Sequence, residues 1–299
     1  MVASVRRGDP CGLYNATLVL FLARTGCLVA VLSAPAAFLA PATARAEAPG
    51  EAEVFTVRGV PVDVTATTAS EARRLALAAG QTEALRRMLE RVTRRVDYGA
   101  LPRVDAESAA NFVQGFEVTN EKTSSVRYLA ELSVRFKPSE IRRLLRESGV
   151  PFAVSASPSL LVLPVLRTPD GLVLWDASNR WRTAWTLLPV RRGLVPMIVP
   201  FGDLEDISGI DATQAMLGDP DALAAIADRY GAGGTLIALA TLSLREDGLY
   251  VLDVAASQPA DAAAAPLLLS FTVASADEVD AVLNLAATET AAGIEEAWI

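Results

Sequence analysis

The chain has no histidine, and its two cysteines, Cys11 and Cys27, both lie close to the N-terminus. Without imidazole the commonest general base is missing, as are the usual partner of a serine or cysteine nucleophile and the commonest metal ligand. Lysine is confined to Lys122 and Lys137, and neither stands in a Ser-x-x-Lys arrangement. Beyond the N-terminal segment there is no G-x-S-x-G, G-x-x-x-x-G-K or G-x-G-x-x-G sequence. The motifs of α/β-hydrolases, phosphate-loop NTPases and dinucleotide-binding enzymes are therefore absent. Carboxylates are plentiful, and two facing each other across a cleft hydrolyse glycosides without histidine, but spacing along a chain does not reveal such a pair. The sequence assigns no catalytic residue, no cofactor and no metal.

Charge is also scarce between Ala16 and Ala40, where Arg24 alone interrupts apolar and small residues. Arg6 and Arg7 precede this run and Ala44-Arg45-Ala46 follows it. That order is a basic region, an apolar region and an A-x-A processing site, so residues 1–46 read as a signal peptide cleaved after Ala46. Arg24 divides the run into Ala16 to Ala23 and Gly26 to Ala40, each too short to span a ~30 Å hydrocarbon layer alone. A periplasmic or secreted protein is expected, with an uncleaved anchor in the inner membrane as the alternative. Lipidation at Cys27 is disfavoured by Arg24, which occupies a position where such signals carry an aliphatic residue. Removal of the leader takes both thiols with it and leaves no disulfide and no thiolate site. The net charge of −8 becomes more negative, because Arg6, Arg7, Arg24 and Arg45 leave against Asp9 alone. Nucleic acid is not expected as a partner.

What remains has the composition of a packed globular protein, and an α/β (α+β) fold of two small mixed-sheet domains with helices packed on the sheets is expected, over residues 51–149 and 158–299. From Glu51 to Gly149 basic residues slightly outnumber acidic ones, whereas from Val150 onward acids dominate. In the first part, Phe55 to Thr65 alternates like a strand but changes parity at Gly59, which predicts a bulge. Thr68-x-x-Glu71 predicts a capping box opening a helix whose inner face is Leu75, Ala79, Leu85, Met88, Leu89 and Val92. A short helix over 105–113, strands over 116–122 and 127–136, and a helix from Pro138 closing at Gly149 complete a β-α-(α)-β-β-α order. In the second part, Leu160 to Leu166 and Val195 to Val199 read as strands buried on both faces. Trp181, Trp185 and Leu188 follow Asp176 at helical spacing. Asp219-Pro220 opens a further helix that stops at Gly231. Two strands flank Glu246-Asp247-Gly248 as a hairpin, 257–266 is a loop, and a strand at 267–273 leads into a helix capped by Ser275-x-x-Glu278 and running toward Trp298.

The stretch Val54 to Gly149, with Val60-Pro-Val-Asp-Val, Ala69-Ser-Glu-Ala, the Tyr128 strand and Phe136-Lys-Pro-Ser-Glu-Ile, resembles DUF2066, a family of exported bacterial proteins of unknown function. The similarity extends through Leu161-Val-Leu-Pro-Val and Arg229-Tyr-Gly-Ala. The second half also resembles, more loosely, the sheet-and-helix domains at the N-terminus of TolB and in the lipoprotein activators of penicillin-binding proteins. That likeness implies a non-enzymatic part in an envelope assembly.

Several residues invite a functional reading. Arg86, Arg87, Arg91, Arg94 and Arg95 stud the long helix and form a possible contact for an acidic partner or anionic head groups, against a plain solvated face interleaved with Glu83 and Glu90. Asp203, Glu205, Asp206 and Asp211 offer oxygen ligands, but not at the spacing of a calcium loop. A helix-capping turn is the simpler reading. Trp175, Trp181 and Trp185 either line a sugar cleft or fill the core. Gly231-Ala232-Gly233-Gly234 follows a helix rather than a strand, so it reads as a helix stop and not a phosphate cradle. The expected function is envelope-associated contact with a protein partner. The alternative is a periplasmic module binding a small molecule or glycan in a cleft between the domains, and a carboxylate hydrolase comes third.

Overall fold

The computed structural model describes residues 50–299 apart from 190–192, 247 and 262–263. The expected leader and processing site lie outside the described residues, as does Asp247 of the expected hairpin turn. The fold is α/β, with two sheets and helices packed on both.

After a short helix α1 (Glu51–Val54), strand β1 (Thr56–Thr65) carries the bulge that the parity change implies. Its pairing steps from Val57↔Val134 to Val60↔Leu132, and Gly59 sits at φ 68°. The extra residue lets Val57, Val60 and Val62 all face the core. Helix α2 (Ala69–Val92) begins at Thr68, whose hydroxyl accepts the Glu71 N–H at 3.2 Å. The capping box is only half made, because the Glu71 carboxylate turns to Arg74 instead.

The buried stripe of α2 departs from the sequence expectation. Leu75 and Ala79 are exposed, and the first half of the helix is buried through Ala72, Ala76, Gly80 and Ala84. The reason is close approach to the sheet: a Cβ at Gly80 would lie 2.7 Å from Val62 Cγ1 and 2.9 Å from Leu132 Cδ2. Small residues every fourth position permit that distance, whereas Leu75 does not fit it. The second half reads as expected, with Leu85, Met88, Leu89 and Val92 buried.

A 3₁₀ turn (Arg95–Ala100) leads to α3 (Ala106–Phe112), capped by Asp105. Strands β2 (Val113–Thr123) and β3 (Arg127–Phe136) follow, then α4 (Pro138–Ser148), which closes at Gly149. The sheet has the order β1-β3-β2 and is antiparallel throughout. Tyr128, Ala130, Leu132, Val134 and Phe136 point into the core, as their alternation implies.

The second sheet begins with β4 (Leu160–Thr168) and β5 (Gly171–Val173), followed by α5 (Arg180–Thr186). Next come β6 (Met197–Ile198) and three helices, α6 (Leu204–Gly209), α7 (Ala212–Leu217) and α8 (Pro220–Arg229). Strands β7 (Gly234–Leu244), β8 (Tyr250–Ser257) and β9 (Leu267–Val273) precede the long helix α9 (Val279–Trp298). The six-stranded order is β5-β4-β7-β8-β9, with β6 also paired to β4. β4 runs parallel to β6 and β7, and the other pairings are antiparallel.

Helices cover both faces, so β4 is apolar on both. Leu160 and Val162 join a core with α5 and α9, while Leu161, Leu163 and Val165 join another with α7 and α8. Three sequence expectations need correction here. The strand expected over 195–199 is reduced to Met197–Ile198, half-buried rather than fully buried and paired with the start of β4. The acidic stretch after Pro200 is helical, as α6 and α7. Ser275 makes no side-chain cap, and a 3₁₀ turn (Ala276–Glu278) stands between it and α9.

The two cores share a wall. Leu194 is buried in the first core, and its neighbour Val195 in the second. Ser157 N–H donates to Leu194 O at 2.7 Å, and Trp298 Nε1–H to Ser155 O at 2.8 Å. No helix among the described residues is long and apolar enough to cross a membrane.

Candidate functional site

A cavity of about 480 Å³ lies on the α5–α9 face of the second sheet. Arg182, Trp185 and Thr186 of α5 form one wall, continued by Leu188 and Pro189. Val195, Met197, Val199, Pro200 and Phe201 form the second, and Ala291 and Glu295 of α9 close the third. Its size falls within the range of small-molecule pockets, and its lining has their usual make-up of apolar walls with a few polar groups.

Helix α5 is held rigidly at its start. The buried Asn179 side chain caps it by accepting the Arg182 N–H at 3.0 Å. The same side chain donates to Pro164 O at 2.9 Å and Leu174 O at 2.9 Å, fastening the helix to the middle of β4 and to the residue after β5. Residues 182 and 185, three apart, then share one side of the helix.

The polar groups of the wall are unequally satisfied. Trp181 Nε1–H donates to Ala238 O at 2.8 Å, while the indole N–H of Trp185, buried at 2% exposure, has no acceptor among the described residues. Arg182 spends Nη2 on the Pro200 and Phe201 carbonyls, at 3.1 Å for the former, yet its Nε–H is buried without an acceptor. Two buried donors thus belong to side chains of one apolar cavity. An unmade bond of this kind costs on the order of 1–3 kcal/mol.

The far wall is pinned by a polar cluster around Asp206, whose carboxylate is fully buried. It accepts from Arg229, from Tyr230 Oη–H at 2.7 Å and from the Gly202 N–H at 2.7 Å. Tyr230 Oη in turn accepts the Phe201 N–H at 2.9 Å. Burial pushes the Tyr230 hydroxyl above its ordinary value, keeping it protonated as a donor. Arg229 also reaches Asp203 at 2.6 Å and holds that carboxyl below the usual carboxylate range.

The acidic loop is thereby accounted for residue by residue. Asp203 caps α6, Asp211 caps α7 in a full capping box with Gln214, and Glu205 faces Arg229 at 3.2 Å. No cluster of three or more acidic residues with metal-binding geometry occurs among the described residues. The sequence contained the parts of this network, Asp206 and Arg229-Tyr230, without a sign that they meet.

The five arginines are not one basic face. Arg86 pairs with Glu83 at 2.7 Å and with Glu90, and Arg87 with Glu83 at 2.7 Å. Arg94 pairs with Asp97 at 3.1 Å. Arg91 donates to Val54 O at 3.1 Å and Thr56 O at 2.8 Å, tying α2 to the start of β1. Arg95 bridges to α9 through Glu289 at 2.9 Å and Glu296 at 2.6 Å. The structure brings Arg91 and Arg95 together in a polar recess of about 260 Å³ with Glu90, Tyr98 and Glu296, and leaves Arg86, Arg87 and Arg94 outside it.

Trp181 and Trp185 are core residues, their rings edge to face at 5.7 Å, but Trp185 also forms cavity wall. The apolar cavity lies in the helical layer of one sheet rather than in a cleft between two domains. Gly231 follows the end of α8, and the Gly233 N–H donates to Ser159 O, as a helix stop before β7 does.

Comparison with known proteins places one part of the chain. Residues 60–153 match the family model described as a domain of unknown function, DUF8605, a segment running from mid-β1 past α4. The name differs from DUF2066, which the motifs resemble, and the cavity lies wholly outside the matched segment. No curated protein and no solved structure matches the chain.

Proposed function

We propose that this is an exported, non-catalytic binding module whose second sheet holds a small, largely apolar molecule between α5, α9 and the 195–201 segment. The observation carrying this reading is the cavity of about 480 Å³ with its largely apolar walls. Support for a non-catalytic role comes from the composition: no histidine, and thiols confined to the leader. The test is titration of purified protein with the apolar fluorophore N-phenyl-1-naphthylamine. Saturable one-to-one binding is expected, abolished by Thr186→Trp, which fills the cavity from an exposed position on its rim. Absence of saturable binding, or binding that Thr186→Trp leaves intact, overturns the reading.

A second reading, contact with an envelope protein, is favoured by a specific surface. Phe201 is 79% exposed and Leu204 84%, with Ile207 one turn further along α6. Such a group of exposed large apolar side chains is a recurrent feature of protein contact sites. Crosslinking from the envelope fraction should capture a defined partner that the Phe201→Ser, Leu204→Ser double variant loses. Recovery of the bait alone counts against it.

A further inference from the structure

We infer that two copies of the protein pair through strand β9, antiparallel about a two-fold axis at Ser270, and join their second sheets into one. The pairing requires neither the cavity nor a ligand.

β9 ends the second sheet and pairs with β8 alone among the described strands. A strand so placed presents a row of backbone N–H and C=O groups, and proteins blunt such edges with charge, proline, bulges or brevity. The other edges carry those devices. β2 steps out of register twice, holds Asn120 at φ 54° and bears Glu117, Glu121 and Lys122. β1 has its bulge and Pro61, and β5 is three residues long. β9 reads Leu-Leu-Leu-Ser-Phe-Thr-Val, with no charge, no proline and no break in its register with β8. Helix α9 backs it closely, since a Cβ at Gly293 would come 2.6 Å from Leu267 Cδ2.

The side chains suit a second copy. Leu267, Leu269 and Phe271 are half-buried on the α9 side, while Leu268, 69% exposed, stands with the exposed Ser270 and Thr272 on the other. A two-fold axis at Ser270 keeps these faces apart. It sets Leu269 opposite Phe271 of the second copy and Leu267 opposite Val273, which carries the apolar layer under α9 across the junction. On the outer face Leu268 meets Thr272, and the two Ser270 hydroxyls meet each other. Apolar, aromatic and hydroxyl pairs of this kind favour neighbouring strands. Charge does not oppose them. Asp253, which accepts from the Ser270 hydroxyl at 2.7 Å, lies one strand in. Its counterpart would stand three strand spacings away, about 14 Å, beyond a Debye length of about 8 Å. The contact is isologous, so it closes at two copies.

The experiment is analytical ultracentrifugation of the purified protein. A reversible monomer–dimer equilibrium is expected between about 1 and 100 µM, because β9 supplies seven residues a side where a standard interface has about 20–30. Leu268→Lys with Thr272→Lys sets like charges opposite each other twice and should weaken the dimer at least about tenfold. Leu217→Lys, at a site 80% exposed on α7, should leave it unchanged. Mixing the lysine variant with Leu268→Glu, Thr272→Glu should restore a dimer containing one copy of each. Hydrogen exchange of the unaltered protein gives a readout that needs no substitution: β9 amides should exchange more slowly as concentration rises, and β2 amides should not. A monomer at every concentration overturns the inference and leaves β9 to a foreign strand. So does a dimer that survives the lysine pair, a lysine variant that the glutamate variant fails to rescue, or β9 exchange independent of concentration. Assembly that grows beyond two copies also overturns it, because paired β9 edges leave nothing to extend.

Discussion

Asp206 accepts the hydroxyl of Tyr230 at 2.7 Å from a position with no solvent exposure of its side chain. Through that hydroxyl and through the Gly202 N–H, the carboxylate sets the backbone at Phe201 and Gly202, on the rim of the cavity.

Asp206→Ala should therefore lower stability and loosen the pocket together. Removing the carboxylate strands a tyrosine hydroxyl, a backbone N–H and part of an arginine, a loss of about 3 kcal/mol. Chemical denaturation gives the first quantity, and fluorophore affinity the second. A variant as stable as the parent means that water replaces the carboxylate and the network is dispensable.

At Gly80 two effects oppose each other. An alanine gains about 1 kcal/mol of helix propensity but drives a methyl into Val62 and Leu132, and overpacking of that kind costs about 1–3 kcal/mol. Valine adds bulk and loses the propensity gain, so Gly80→Val should be clearly less stable than Gly80→Ala, by about 2 kcal/mol. The comparison is a pair of urea denaturation curves, and equal midpoints refute the tight contact.

Acid should weaken the outer face of α2. Glu83 is held down to about 2 by hydrogen bonding to Arg86 and Arg87, against 4.5 in the unfolded chain. A group with a lowered folded pKa contributes its full stability above about 4.5 and loses it as pH falls toward about 2. Its side chain is a third exposed, so solvent screening keeps the effect small. Parent minus Glu83→Gln stability, measured across that window, should shrink on acidification, and a constant difference disproves the assignment.

Arg95 links the 3₁₀ turn after α2 to α9 across a half-exposed surface. Arg95→Met should cost less than about 1 kcal/mol at moderate salt and less still at high salt. A salt-independent loss means that the aliphatic stem, rather than the charge, does the holding.

Local features of the fold were legible in the sequence where one physical rule acts alone. The parity switch at Gly59 announced a bulge because a strand has period two, and φ 68° there is a conformation that non-glycine residues adopt at a cost of roughly 1–2 kcal/mol. The alternation from Tyr128 to Phe136 and the apolar run of β4 likewise decided one-sided and two-sided burial. Misreadings arose where packing overrides pattern. Hydrophobicity points Leu75 inward, yet the first half of the helix lies close to the sheet and buries small residues, Ala72, Ala76, Gly80 and Ala84, instead. Glu71 was expected to complete a capping box, but a nearby arginine competed for it.

The candidate site was less legible. Trp185 advertised itself as core and is core. That it also forms cavity wall depends on how α5 packs beside the 195–201 segment and α9, and no spacing rule reports that. Asp206 and Arg229 stand in separate helices, and their meeting is a matter of how α6 and α8 pack.

Because Leu194 and Val195 face opposite ways into different interiors, one peptide bond is masonry common to both. Excising residues 60–153, the segment matched by the family model, would remove Leu194 from above its own core and cut β1 beside its bulge. The fragment should behave as a loosened globule, while the intact chain should melt in a single step that reports both sheets at once.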